Sequence, residues 1–104
     1  MNSNESTQRN ESMKIGLYQK TKHFAMRQKE RNISDNLLTR VLCKIKCSFG
    51  IKTTVIVGEH FLKSYKNLFA APNLVLIIES YDLVTIYPTN NLYGHSYQNV
   101  YFIQ

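Results

Sequence analysis

The sequence lacks several features that mark common classes of protein. Its longest apolar runs fall well short of the roughly 20 residues that a transmembrane helix needs, so we expect no association with a membrane. The opening residues, MNSNESTQRNES, are polar throughout and resemble no secretory signal, which predicts a cytoplasmic protein. The chain has neither a glycine-rich phosphate loop nor a Ser/His/Asp pattern, so neither type of active site is expected.

Acidic residues and cysteines are scarce. The chain has seven Asp and Glu residues, none closely paired, which argues against a metal-dependent nuclease, and we predict no metal site and no cofactor. Cys43 and Cys47 lie four residues apart on a predicted helix, without the second pair that a zinc site requires. We therefore expect both cysteines to be reduced, buried thiols.

Basic residues are plentiful and unevenly placed. The formal net charge is +6, and residues 14–52 carry ten Lys and Arg against two acids, whereas residues 53–104 are close to neutral. Such an asymmetry predicts a surface that attracts a polyanion, most plausibly a nucleic acid. The alternative is a lysine-rich surface that serves only solubility.

The apolar pattern predicts one domain, over residues 14–104, after a disordered polar segment at 1–13. A first helix is expected from Lys20 to Arg31, and a second from an N-cap at Ser34 to about Lys46. The β-branched and apolar segments TTVIVG, HFLKSYKNLF, LVLIIES and LVTIYP then predict four strands.

The order of these elements predicts the fold class. The connections between the predicted strands are short, which favours antiparallel hairpins. The expected architecture is α+β, with two N-terminal helices packed on one face of a roughly four-stranded antiparallel sheet. The segment MKIGLY is either a short strand or a docking arm, and the aromatic tail NLYGHSYQNVYFIQ either adds an edge strand or covers an apolar patch.

The first predicted helix carries a candidate site. His23, Arg27 and Arg31 follow one another at intervals of four residues, which places them on one helix face. Neighbouring guanidinium groups favour a neutral imidazole, and the planar fork of arginine suits a phosphate. The pattern is therefore compatible with a phosphate-handling site and equally with a solvated basic stripe.

The predicted strand Leu83–Tyr87 carries a second candidate set. Strict alternation directs Val84 and Ile86 to one side, and Leu83, Thr85 and Tyr87 to the other. The two hydroxyls can bind a substrate, although Thr and Tyr are also ordinary residues on a solvated strand. The remaining histidines, His60 and His95, are isolated in the sequence, and surface roles are expected for them.

Together, these segments resemble a group of small bacterial domains. The segment KHFAMRQKERNISDNLLTRVL contains the pattern H-x3-R-x3-R-x-I-S, and LVLIIESYDLVTIYP follows it in the expected order. The group is placed near the superfamily of metal-independent ribonucleases and toxins that includes barnase, EndoU, colicin and RelE-like proteins, and the match covers about residues 20–90. The resemblance implies a RelE/barnase-like fold.

The resemblance also implies an activity. His23 would act as general base or acid in an attack of an RNA 2′-hydroxyl on its own 3′-phosphate. Arg27 and Arg31 would hold the phosphate, and Thr85 and Tyr87 would position it or the sugar. The basic residues expected to recruit RNA are Lys20, Lys22, Lys29, Arg40, Lys44 and Lys46.

Two other functions remain open from the sequence. The first is binding of a nucleic acid without catalysis, including a helix-turn-helix that would direct Arg40 and Lys44 to DNA. The second is a protein-interaction module, such as an inactive relative of a toxin. If the chain is a toxin or an inactive relative of one, the expected protein partner is a cognate antitoxin or immunity protein.

Overall fold

The computed structural model describes residues 13–65, 73–92 and 97–104. Helices and strands in these ranges are β1 (Lys14–Ile15), β2 (Tyr18–Lys20), α1 (Lys22–Glu30), α2 (Asp35–Leu42), β3 (Lys52–Val57), α3 (Glu59–Leu62) with a 3₁₀ turn (Lys63–Tyr65), β4 (Asn73–Glu79), β5 (Asp82–Thr89) and β6 (Val100–Ile103). The predicted disordered segment at 1–13 lies outside the described residues except for Met13. The carbonyl of Met13 accepts a hydrogen bond from the Lys20 N–H.

The sheet corrects the predicted fold class. Within the described residues it has six strands, in the order β1-β2-β5-β4-β3-β6, instead of four antiparallel strands. The central strands β3, β4 and β5 are antiparallel, whereas β2 pairs with β5 and β6 pairs with β3 in parallel. A strand was one of two alternatives for the segment MKIGLY and for the aromatic tail, and the structure has β1 and the start of β2 in the first segment and β6 in the second. The parallel pairing of β2 and of β6 was not predicted, because these pairs are connected by longer crossovers.

The segment after β3 is helical, which corrects the strand predicted over HFLKSYKNLF. Gly58 precedes α3, and its carbonyl accepts a hydrogen bond from the N–H of Leu62. Phe61 and Tyr65, four residues apart, stack with ring centroids 5.9 Å apart, and Leu62 is buried in the core. A contact at this spacing requires helical turns. Residues 66–69 of the predicted strand lie outside the described ranges.

Both N-terminal helices begin at side-chain caps. The hydroxyl of Thr21 accepts a hydrogen bond from Phe24 N–H, and that of Ser34 accepts one from Leu37 N–H. The first helix starts two residues later than predicted, because Lys20 is still paired in the sheet.

The second helix ends at Leu42, four residues earlier than predicted. Cys43 is therefore the C-cap and is exposed, and Cys47 lies beyond the helix and is half-buried. Both are free thiols. The expectation of two buried cysteines on a helix was wrong, because the amphipathic stripe continues to Ile45 although the helical backbone does not.

One face of the sheet packs against the helices. Phe24 of α1 is fully buried, and the apolar stripe of α2 is nearly so, a burial that contributes about 1.5–3 kcal/mol per side chain. The core contains Phe24, Ile33, Leu37, Leu38, Val41, Leu42, Ile45, Val55, Val57, Leu62, Leu74, Leu76, Ile78, Leu83, Ile86 and Ile103. Among the described residues, no helix combines the length and hydrophobicity of a membrane span.

A β-bulge in β5 changes which residues share a face. Thr85 pairs with Ile77 and Leu83 pairs with Ile78, so Val84 is an extra residue in its strand. Leu83 and Ile86 consequently both enter the core. The predicted grouping of Leu83 with Thr85 was wrong, since strict alternation fails at the bulge.

Candidate functional site

The N-terminus of α1 is fixed to the bulged part of β5. Thr21 N–H donates to the carbonyl of Leu83 over 3.1 Å. The Thr21 hydroxyl lies 3.0 Å from the same carbonyl and 3.1 Å from that of Val84, while it also caps the helix. These contacts set the rotation of the first helical turn relative to the strand, and therefore the direction of His23.

His23 and Thr85 come together at this junction. Nε2 of the imidazole lies 3.0 Å from Oγ1 of Thr85, across 62 residues of sequence. The imidazole is exposed and the threonine is half-buried, so the ring is held on one side and accessible on the other. Which of the two groups donates depends on the imidazole tautomer.

The two arginines follow His23 along α1. Their Cα atoms lie about 6 and about 12 Å from that of His23 along the helix axis. Arg27 Nη1 contacts Glu30 Oε1 at 2.9 Å, an ion pair in which both side chains are partly exposed. Arg31 is the C-cap and is half-buried, and its Nε has no hydrogen-bond partner in the described part of the chain.

Tyr87 lies two residues beyond Thr85 on the same face of β5, away from the core residue Ile86. Burial, followed by a hydrogen bond with Tyr97, raises the pKa of Tyr87 to about 12. The phenol therefore remains protonated at neutral pH, where it can donate a hydrogen bond and does not serve as a base.

Lys20 does not belong to an RNA-binding surface. Its side chain is fully buried, and its ammonium lies 2.8 Å from Oδ1 of Asp35. Gln28 donates to the same carboxylate oxygen over 2.7 Å and to the carbonyl of Ile33 over 2.8 Å. These groups join β2, α1 and the start of α2, so Lys20 has a structural role.

The other predicted RNA-binding residues are exposed: Lys22, Lys29, Arg40, Lys44 and Lys46. Four of them occupy two regions of the surface. Lys22 and Lys29 are on α1, the helix that carries His23, whereas Arg40 and Lys44 line a groove with residues of β6. The order of the strands places β5 and β6 three positions apart, or about 14 Å.

Sequence reasoning missed the groups that build the junction. Thr21 gives a cap signal in the sequence, but its bonds to β5 depend on the parallel pairing of β2 with β5. Gln28 and Asp35 carry no pattern that predicts a partner for a buried lysine.

The remaining histidines do not join the site. His60 is exposed on α3, and His95 lies outside the described residues. Within residues 13–65, 73–92 and 97–104, no three His, Cys, Asp or Glu side chains group closely enough to hold a metal ion.

Comparison with known proteins found no matching family model, no matching curated protein and no matching solved structure.

Proposed function

We propose that the protein is an endoribonuclease that cleaves RNA by 2′-hydroxyl transesterification without a metal ion. The observation that carries the proposal is the contact of 3.0 Å between His23 Nε2 and Thr85 Oγ1. It holds an exposed imidazole at a junction with basic residues on one side and hydroxyls on the other.

The chemistry requires one base and one acid. A base removes the proton of the 2′-hydroxyl, O2′ attacks the adjacent phosphorus, and the bond from phosphorus to O5′ breaks as that oxygen receives a proton. The products are a 2′,3′-cyclic phosphate and a 5′-hydroxyl. His23 serves as the base or the acid, solvent water accepts or supplies the other proton, and Thr85 keeps the imidazole ring in one orientation. Tyr87, protonated at neutral pH, hydrogen-bonds the phosphate or the sugar.

Arg27 and Arg31 neutralise the charge that develops on the phosphate oxygens. The pair of Arg27 with Glu30 does not oppose this role, because an exposed pair contributes only about 0–1 kcal/mol. A phosphate can replace Glu30 and can accept two parallel hydrogen bonds from the guanidinium group.

The exposed lysines of α1 recruit the substrate. Lys22 and Lys29 are on the helix that carries His23. Their field raises the local concentration of a polyanion, so binding weakens steeply with added salt. Both cysteines are free thiols. Because a reducing compartment keeps thiols in this state, we place the activity in the cytoplasm.

The resemblance of the H-x3-R-x3-R-x-I-S pattern to ribonuclease toxins supports the same chemistry. The support comes from the sequence motif and from the direction in which its side chains point. It does not come from the topology of the sheet. In this proposal a cognate antitoxin or immunity protein would be the natural protein partner.

The test compares initial rates of cleavage of total RNA. We expect His23→Ala to lower the rate by about 10²–10⁴-fold, the usual contribution of a general base or acid. Arg27→Ala should also lower it. His60→Ala is the matched control, since it removes an exposed histidine that lies outside the site. If His23→Ala and Arg27→Ala cleave as fast as the parent, the assignment fails.

The second candidate function is RNA binding without cleavage. It is favoured by the separation of the exposed cations into two regions, of which only one adjoins His23. If this second function is correct, the protein binds RNA, leaves it intact and does not arrest bacterial growth when its expression is induced. A nuclease should arrest growth, and its partner protein should relieve the arrest.

A further inference from the structure

The strand β6 forms one edge of the sheet. In the described part of the chain it pairs on one side only, with β3. The carbonyls of Asn99 and Ile103 accept hydrogen bonds from N–H groups of β3 and of the residue directly after it. Because the backbone groups of alternate residues in a strand point to opposite sides, the N–H and carbonyl groups of Val100 and Phe102 point away from β3.

This edge lacks the features that usually protect an exposed strand. Residues 98–104, QNVYFIQ, contain neither a charged side chain nor a proline, and the four pairs of β6 with β3 follow one another without a shift. Charges, prolines and bulges are the means by which exposed edges avoid further pairing. The opposite edge, β1, has two residues, one of them Lys14. Of the two edges, β6 is therefore the better suited to accept another strand.

On the side of the sheet away from the helices, the edge is apolar. The register of β6 on β3 places Phe102 beside Ile56, which is buried outside the core formed with the helices. Val100 lies two residues away on the same face. The two side chains of β6 are 65% and 39% exposed, respectively. A strand that paired with this edge would meet an apolar surface on this face.

On the helix side, the same edge is cationic. Ile103 belongs to the core, and Tyr101 packs against it. Arg40 and Lys44, from the end of α2, line a groove with these two residues. Neither cation forms an ion pair with a carboxylate of the described residues. A side chain that entered from an added strand would therefore meet two positive charges without an acidic competitor among those residues.

We propose that β6 binds an extended segment of a partner protein as an additional strand, in which apolar and acidic side chains alternate. The apolar side chains contact Val100 and Phe102, and the acidic ones face Arg40 and Lys44. In this mode of recognition the backbone hydrogen bonds supply affinity and the alternate side chains supply specificity.

The charges favour such a segment over a second copy of this chain. QNVYFIQ has no acidic residue to offer. Pairing two copies through β6 would also bring the Arg40 and Lys44 of both copies to one face, and like charges brought together oppose association. The inference depends on the edge of the sheet and not on the binding or cleavage of RNA.

The first test measures fluorescence anisotropy with a labelled peptide of about eight residues in which Glu and Val alternate. The control peptide has the same composition with all Glu before all Val, so it keeps the net charge but cannot place the two kinds of side chain on opposite faces. We expect the alternating peptide to bind at least about fivefold more tightly. Equal binding of the two peptides would overturn the proposal, since it would show attraction by net charge alone.

A pair of variants isolates the backbone. Phe102→Pro removes an N–H that points away from β3, whereas Phe102→Ala removes the ring and keeps the N–H. We expect the alanine variant to raise the Kd about twofold to fivefold and the proline variant to raise it at least about tenfold. Circular dichroism checks that both are folded. Equal Kd values in the two variants would reject pairing through the backbone.

A second pair isolates the charge. Lys44→Ala should raise the Kd about twofold to fivefold at low salt, and the difference from the parent should vanish near about 1 M salt. Lys52→Ala is the matched control, because this lysine is exposed and lies outside the groove. It should change the Kd by less than about twofold. An equal loss in the two variants would contradict the role of the groove.

Hydrogen exchange of the parent tests the pairing without a variant. A saturating amount of the alternating peptide should slow exchange of the Val100 and Phe102 amides by at least about tenfold and leave that of Phe49, in an exposed loop, unchanged. Bound peptide without this protection would overturn the proposal. So would a dimer of the peptide-free chain, seen by sedimentation equilibrium and disrupted by Phe102→Pro, since a second copy would then occupy the edge.

The outcomes are separable from those of the proposed catalysis. β6 is three strands away from β5, which carries Thr85. His23→Ala should therefore bind the peptide as tightly as the parent, and Phe102→Pro should cleave RNA as fast as the parent. Loss of peptide binding in His23→Ala would contradict the placement of the partner at β6.

Discussion

The buried ion pair of Lys20 makes a prediction that separates structural lysines from those proposed to bind RNA. Replacing Lys20 with Met keeps an unbranched apolar stem in the core but removes the ammonium that lies 2.8 Å from Asp35. The carboxylate keeps its hydrogen bond from Gln28 at 2.7 Å, and its own side chain is 36% exposed. The substitution therefore removes one of the groups that stabilise the Asp35 carboxylate, but the carboxylate keeps a hydrogen bond and its contact with solvent.

These contacts set the size of the effect. A hydrogen bond to a charged group contributes about 1.5–3 kcal/mol. Breaking a fully buried pair costs about 3–5 kcal/mol, which is an upper bound here because solvent reaches Asp35. We expect Lys20→Met to lower the free energy of unfolding by about 2 kcal/mol. For a domain of this size that corresponds to a fall in Tm of roughly 8–16 °C.

Thermal unfolding followed by circular dichroism measures the loss, with Lys22→Met as the matched control. Lys22 is exposed on α1, so the same substitution there should change the free energy of unfolding by less than about 0.5 kcal/mol. RNA affinity should respond in the opposite order, falling for Lys22→Met and unchanged for Lys20→Met at a temperature where both are folded. Equal stability of Lys20→Met and the parent, or an equal loss of RNA affinity in the two variants, would refute the reasoning.

Three further predictions concern the candidate site and its surroundings. Thr85→Val should slow RNA cleavage by about tenfold, because the His23 ring loses the hydroxyl at 3.0 Å, and Thr85→Ser should restore the rate; an unchanged rate in the valine variant would contradict the positioning role. Glu30→Gln should release Arg27 and raise RNA affinity at low salt, with stability within about 1 kcal/mol of the parent by chemical denaturation. Because the folded pKa of Tyr87 is raised to about 12 from an unfolded value near 10, the folded state binds more protons in between, so stability should decline between about pH 10 and 12. Denaturant titrations should show a shallower decline in Tyr87→Phe.

The two N-terminal helices were accessible from the sequence because their signals are local, whereas α3 was predicted as a strand. Ser34 before an apolar stripe identified the start of α2, and the helix pattern around Phe24 identified α1. The early end of α2 could not be read in the same way. Ile45 continues the stripe and is buried, but it is held by the loop after the helix.

The sheet was only partly accessible, because its outer strands are short. β1, β2 and β6 contain two to four residues each, too few for a period to be recognised. Their places depend on pairing with distant strands. The bulge at Val84 is likewise a property of the pairing, and it reverses the side expected for Leu83.

Two groupings of residues that were made from the sequence differ in how they compare with the structure. The resemblance to the ribonuclease toxins led us to group His23 with Thr85, and their side chains lie 3.0 Å apart in the structure. Charge counting led us to group Lys20 with the exposed lysines, and it is buried beside Asp35. The difference is physical, since charge in the sequence does not reveal burial when the partner is fifteen residues away.

The most direct test of the central claim is the chemistry of the RNA ends produced by the purified parent protein in excess chelator. The account predicts fragments that carry 2′,3′-cyclic phosphates, or the monophosphates formed from them, together with 5′-hydroxyls. It also predicts that RNA methylated at every 2′-oxygen stays intact. Intact RNA at the end of the incubation, fragments with 3′-hydroxyl ends, or cleavage of the methylated RNA would contradict the claim that His23 and Thr85 form a metal-independent ribonuclease site.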